Sequence, residues 1–369
     1  MRLIPIFLFF FLALPAQAQP SGALEDRLHE AVQAAIDADA VPGLAATVLL
    51  ADGRSIDVQA GLADPRGGVP VDSRTRFLSG SVGKTVTALI AVRLAEAGTL
   101  DLDAPVSTWL SDRPWWPRLA NADDLTLRML LQHSAGVPDY LEDVNFFLSG
   151  LTRGARGYTP DELVGFVAGD AAEGEPGAHF SYSDTDYILV GMIIEAATGE
   201  DFYDLARRDV IEPLGMDRTE PLRGRRFDNL AAGHRDGLFG RRATARDGRL
   251  QDNLDHEWTG GGWVTTPGDL ATLYRALGDG GQFAAEGAIM RAGLNPFDEI
   301  GRRGYGLGMY VRIRDDGSYR MSHGGDFGGY RSAAIYDSRT GISLAVQGNA
   351  KAFEAPDFAF DLMETLAAD

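Results

Sequence analysis

Ser81 and Lys84 stand three residues apart in the stretch Phe77-Leu78-Ser79-Gly80-Ser81-Val82-Gly83-Lys84-Thr85. On a helix that spacing puts both side chains on one face. A turn-forming Gly80 precedes them and a helical run over 86–97 follows. Free backbone N–H groups and the positive end of the dipole gather at a helix start. A serine there suits a nucleophile whose attack creates an oxyanion, and a lysine one turn away can take or relay its proton. The same two residues also fit an N-cap followed by a surface lysine. Gly83-Lys84-Thr85 reads like the end of a phosphate-binding loop, but that loop needs glycine where this chain has Leu78.

Two further stretches carry polar groups next to breaks in the pattern. In Pro176-Gly177-Ala178-His179-Phe180-Ser181-Tyr182-Ser183-Asp184, a tyrosine and an aspartate precede a helix expected from about Asp186. Alone, Tyr182 reads equally as a half-buried aromatic and Asp184 as a helix cap. Ser322-His323-Gly324-Gly325-Asp326 is expected at the end of a strand. Its glycines leave a bare backbone that a substrate carbonyl can approach, although alone it also reads as a turn with a surface histidine. His133 reads as a structural or loop histidine. The six histidines are scattered, and His256-Glu257 lacks the second histidine of a zinc-binding helix. We therefore expect no metal and no cofactor.

The elements that must position these residues follow from periodicity. Leu24 to Ala38 has helical spacing. Strands are expected at 44–50 and 55–60 around the Asp52-Gly53 turn, with 61–71 as loop. Thr126 caps a helix over 127–132, and further helical segments fall at 161–168, 186–198 and 202–212. Residues 221–255 are rich in Arg, Asp and Gly and read as an irregular excursion. Thr266-Pro267 opens a helix running to about Leu277. Strand-like runs follow at 306–313, 318–322, 331–336 and 342–347, and a helix at 357–367 closes the chain. Strands at both ends with helices between them imply an α+β fold. Its antiparallel sheet is flanked by N- and C-terminal helices and interrupted by a mainly helical domain. The α/β part is expected at about 19–80 and 265–369, and the helical part at about 81–264.

The chain has 369 residues, a net charge of −19 and no cysteine. That charge disfavours nucleic acid and anionic membranes as partners. Met1-Arg2, an apolar run over 3–14 and Ala16-Gln17-Ala18 have the form of a cleavable signal peptide, cut after Ala18. This predicts a periplasmic or secreted protein. No other stretch is long and apolar enough to insert stably in a membrane.

Taken together and in this order, the motifs resemble the serine β-lactamase-like hydrolases: class C β-lactamases, DD-carboxypeptidases, D-aminopeptidases and related esterases. The resemblance includes Ser81-Val82-Gly83-Lys84, the stretch Leu130 to Pro138, Tyr182-Ser183-Asp184, Gly261-Gly262-Trp263 with Asp269, and His323-Gly324-Gly325. It implies a β-lactamase/transpeptidase-like fold. It implies Ser81 as acylated nucleophile, Lys84 as proton acceptor or relay, and Tyr182 as partner base and donor to the leaving group. The oxyanion hole would be the amides of Ser81 and Asp326. Asp184, His323, Gly324 and Gly325 would bind substrate. Asp184 departs from the family's usual asparagine: an ionised aspartate only accepts hydrogen bonds and favours protonated Lys84. His323 stands where many β-lactamases have lysine. The resemblance thus implies an exported serine hydrolase acting on a small ester, amide or D-amino-acid peptide. The rivals are a penicillin-binding peptidase or weak β-lactamase, and a non-catalytic binding protein on the same scaffold.

Overall fold

The computed structural model describes residues 21–38, 40–153, 156–235, 242–299 and 301–367; the expected signal peptide lies outside them. Nine strands form one sheet. In spatial order they are Asn295–Pro296, Arg303–Tyr305, Tyr310–Ile313, Tyr319–Phe327, Tyr330–Asp337, Ile342–Gly348, Gly43–Leu49, Ser55–Asp64 and Val69–Pro70. Every neighbouring pair is antiparallel. The chain leaves the sheet after its first strands and returns so that Leu44 pairs with Gly348. The helical segments lie in the long excursion between.

Side-chain alternation gives the sheet two apolar faces. Ala333, Ile335, Leu344 and Val346 pack with the terminal helices Ser21–Asp37 and Ala355–Ala367, through Leu28, Val32, Leu362 and Met363. The alternate residues Ala334, Tyr336 and Ala345 join the larger core with helices Lys84–Glu96, Asp184–Thr198 and Pro267–Leu277. Burial of both faces fixes the register, since a one-residue slip would exchange them. This is the α+β architecture expected, with the helical insertion on the face opposite the terminal helices.

Five local expectations are corrected. The strand expected at 306–313 is only Tyr310–Ile313, with a separate strand at Arg303–Tyr305 before it. Residues 61–71 are not all loop: the second strand runs on to Asp64, and Val69–Pro70 pairs with it. The strand expected at 318–322 runs from Tyr319 to Phe327, so His323-Gly324-Gly325-Asp326 lies within it rather than at its end. Helices at Val144–Arg153 and Ala284–Arg291 had no counterpart in the sequence reading. The segment after Ala206 continues as a wider π turn, Arg207–Ile211. Residues 221–255 form only short two-residue strands.

Candidate active site

A strand of two residues, Phe77–Leu78, pairs with Trp263–Thr265 and delivers the chain to a 3-10 turn, Gly80–Gly83. The helix Lys84–Glu96 begins directly after it. Ser81 therefore sits in the turn before the helix, partly exposed, while Lys84 is fully buried. Gly80 has φ +50°, and a Cβ there would come within 3.0 Å of the Asp326 amide nitrogen. The central strand Tyr319–Phe327 thus packs its backbone against the Ser81 turn. Gly325 permits this contact: a Cβ there would overlap the Ser79 carbonyl and Ser332 Oγ. Ser332 Oγ in turn donates to that carbonyl, and Ser79 Oγ donates to Gly261 O at 2.6 Å.

Lys84 Nζ donates to Ser81 Oγ at 3.0 Å, to Gly260 O at 2.9 Å and to Asp184 Oδ1. Three acceptors match the three protons of an ammonium group. Burial alone would lower the lysine pKa, but the charges of Asp184, Tyr182 and Glu257 overcome it and hold Lys84 well above the usual lysine value. Asp184 is the first residue of the helix Asp184–Thr198, and Ser183 makes no side-chain cap there. Its carboxylate faces Lys84 across the site.

Tyr182 lies on the other side of Lys84, whose Nζ is 5.0 Å from the ring centroid. Burial pushes the phenol up, while Lys84 and hydrogen bonding to Ser81 pull it down; the net shift is upward. The His133 ring packs against Tyr182 with centroids 4.1 Å apart. His133 is fully buried, and burial holds it neutral. Its Nδ1 lies 3.0 Å from Asp186 Oδ2 and accepts from the Ser183 amide at 3.3 Å. Burial raises Asp186 as well.

His323 is 3% exposed. Its Nδ1 donates to Gly324 O at 2.7 Å, since a carbonyl only accepts; Nε2 therefore accepts from Tyr305 Oη at 2.8 Å. Burial lowers its pKa to about 3. Both ring nitrogens are occupied within the protein, and the ring is neutral.

Ser81, Tyr182, Asp184, His323, Gly324, Gly325 and Asp326 all line one cavity of about 650 Å³, with Phe297 and Tyr310 also in its lining. Phe180 packs edge to face behind Phe297, with centroids 4.8 Å apart. The sequence-selected residues are thus brought together, with Lys84 directly beneath. Sequence reasoning missed Asp139, Glu257 and Tyr305. Asp139 accepts from the amides of Leu141 and Asp184. Burial and the Asp184 charge raise it to about 7, and raise Glu257 to about 8. Glu257 is 2% exposed, and among the described residues its Oε2 has no hydrogen-bond partner. Tyr305 lies on Arg303–Tyr305, two strands from His323 with Tyr310–Ile313 between them, a relation that no local sequence pattern shows. Among the described residues no group of three or more His, Asp or Glu could hold a metal ion.

A family profile described as "Beta-lactamase" matches residues 28–365. The chain is 27% identical over 304 residues to penicillin-binding protein 4* of Bacillus subtilis, covering 78% of this chain and 64% of that protein. It is 34% identical over 163 residues to esterase EstB of Burkholderia gladioli, covering 42% and 41%. The matches thus span less than two thirds of the length of these curated relatives. Among solved structures, the D-stereospecific amidohydrolase from Streptomyces sp. superposes with a TM-score of 0.77 at 27% identity, covering 93% of this chain and 98% of that one. The D-amino acid amidase from Ochrobactrum anthropi SV3, complexed with L-phenylalanine amide, gives 0.76 at 25% identity, covering 94% and 99%. With a profile matched along nearly all of its length and a serine–lysine–tyrosine site in one cavity, the chain belongs to the β-lactamase family of serine hydrolases.

Proposed function

We propose that the protein hydrolyses a small ester or amide through an acyl-enzyme on Ser81, and that its substrates include D-amino-acid derivatives. The contact that carries this reading is Lys84 Nζ at 3.0 Å from Ser81 Oγ. Ser81 Oγ attacks the substrate carbonyl carbon as Tyr182, reacting as its phenolate, takes the serine proton and becomes the neutral phenol. Lys84 remains an ammonium and stabilises that phenolate before the transfer, the direction in which it already pulls the phenol. The tetrahedral oxyanion sits between the amides of Ser81 and Asp326, donors of a kind worth about 3–4 kcal/mol in a transition state. Tyr182 then gives its proton to the departing alcohol or amine as the bond to carbon breaks. Water reverses these steps to release the acid.

A neutral ester or amide fits this site better than a penicillin. The neutral His323 offers no cation at the third motif, and Asp184 stands beside Ser81; of the arginines in the cavity lining, Arg303, Arg320 and Arg331 are ion-paired with Asp298, Asp337 and Asp326, and Arg312 is exposed. The D-amino-acid reading draws on the names of the two amidohydrolases that superpose along nearly their whole length. The residues at 1–18 support export to the periplasm or medium. A panel of p-nitrophenyl esters, D- and L-amino-acid p-nitroanilides and penicillin G tests the assignment. Turnover of esters or D-anilides ahead of penicillin is expected. Penicillin as the fastest substrate would overturn it.

A further inference from the structure

A second recess of about 650 Å³ opens beside the first. One strand connects the two: Ser322 to Asp326 line the catalytic cavity, and Phe327 and Gly328 line the second recess. Its inner end is a run of rings, Phe146, His256 and Phe327, with successive centroids 5.3 and 5.4 Å apart. Its outer lip is the helix Val144–Arg153, on which Val144 and Phe147 are 63% and 66% exposed.

The walls are strongly basic in a chain of net charge −19. Arg153, Arg156, Arg225, Arg235 and Arg242 line the recess, and among the described residues the one carboxylate in its lining is Asp252. Asp252 pairs with both Arg235 and Arg242, and Glu162 with both Arg153 and Arg156. Arg225 is held by the main-chain carbonyls of Leu250 and Gln251. Among the described residues, these five guanidinium groups therefore share two ion-pairing carboxylates. Guanidinium forks facing a recess favour carboxylate or phosphate, and the aromatic inner end favours an apolar body.

We propose that this recess is the acyl-arm subsite of the active site and selects acyl groups that end in an anion, carried on an apolar chain. This rests on the acyl-transfer reading of Ser81. If Tyr182 protonates the leaving group, that group lies on the Tyr182 side, against Phe297 and Tyr310. The acyl arm then runs the other way, past Asp326 to Phe327 and the arginines. The anion must stand at the far end of the acyl chain, clear of Asp184.

The test compares mono-p-nitrophenyl esters of glutarate, adipate and suberate with their methyl-capped neutral counterparts. For the best-fitting length, kcat/KM of the anionic ester should exceed that of its neutral partner by at least about tenfold at low salt, and the ratio should shrink at high salt, as for exposed charges. The double variant Arg156→Gln/Arg242→Gln should cut the ratio at least about fivefold, because it removes two of the guanidinium groups that would hold the anion. A ratio at or below one for every length, or a ratio unmoved in the double variant, overturns the proposal. A separate readout keeps it distinct from the catalytic reading. By calorimetry, Ser81→Ala should bind the best hemi-ester more tightly than its methyl-capped partner, whether or not the wild type turns over. Equal binding overturns the subsite, whereas turnover that survives in Ser81→Ala overturns the catalytic reading.

Discussion

Lys84 is the residue whose surroundings say most about the chemistry. Its three protons meet a serine, a carbonyl and a carboxylate, and its charge is held against full burial. Asp184 is the nearest contributor to that hold. Asp184 also raises the Tyr182 phenol, so Asp184→Asn, which removes the charge with little change of shape, lowers that pKa. The rising limb of the pH–rate profile for neutral esters, set by Tyr182 losing its proton, should then move down by about one unit or more, the range for loss of an adjacent charge. An unmoved limb would mean that Tyr182 is not the base. Tyr182→Phe removes the group that receives the serine proton, and kcat should fall at least about a hundredfold, as for loss of a general base. A change below about threefold in the folded variant would place that role elsewhere. Ser81, Lys84, Tyr182 and Asp184 were legible in the sequence because each belongs to a short local pattern. Asp139 and Glu257 were not. They matter because burial places them near Lys84 and Asp184, and burial is contributed by segments far apart in sequence.

At the scale of elements, the site depends on a strand passing close to a turn. The Gly324-Gly325 pair looks like a break in a strand pattern, which is why the strand was expected to stop at Ser322. The ladder instead continues through it, with Gly325 paired to Ser332. The missing side chain of Gly325 is what lets the strand approach Ser79 and Gly80, whereas Gly324 faces Pro356. Gly325→Ala must push the strand from the turn and separate the Asp326 amide from Ser81. Loss of one oxyanion donor predicts a fall in kcat of about a hundredfold or more with near-native circular dichroism. Gly165→Ala is the control. A Cβ there meets nothing within 4 Å, and alanine is the better helix former by up to about 1 kcal/mol, so activity should hold and stability rise. Equal loss of activity in both variants would contradict the packing argument. The helix Val144–Arg153 escaped the sequence reading for a different reason. Its start is set by the Asp143 side chain accepting from the amides of Asn145 and Phe146, and its apolar residues face outward as well as inward.

At the scale of the whole molecule, buried titrating groups set opposing limits on stability. Asp139 and Glu257 are raised in the folded state, so their contribution is complete below the ordinary carboxylate range and is lost as pH rises through about 7 and 8. His323 and His256 are lowered to about 3 and about 4, so their contribution is present above 6.5 and is lost as pH falls through those values. The net charge of −19 adds self-repulsion on the alkaline side. The melting temperature should therefore peak between about pH 4.5 and 6.5 and decline towards pH 8. Glu257→Gln should flatten that decline, and a wild-type melting temperature that rises from pH 6.5 to 8 would contradict the assignment. The antiparallel sheet with its helical insertion was legible from where strand-like and helical patterns fall along the chain. The basic recess was not, because its arginines come from separate segments that only the fold unites. The account as a whole turns on one covalent bond. Intact-mass spectrometry after reaction with a fluorophosphonate, followed by peptide mapping, should find a single adduct on Ser81 and none in Ser81→Ala. An adduct on another residue, or a fully labelled and active Ser81→Ala protein, would contradict it.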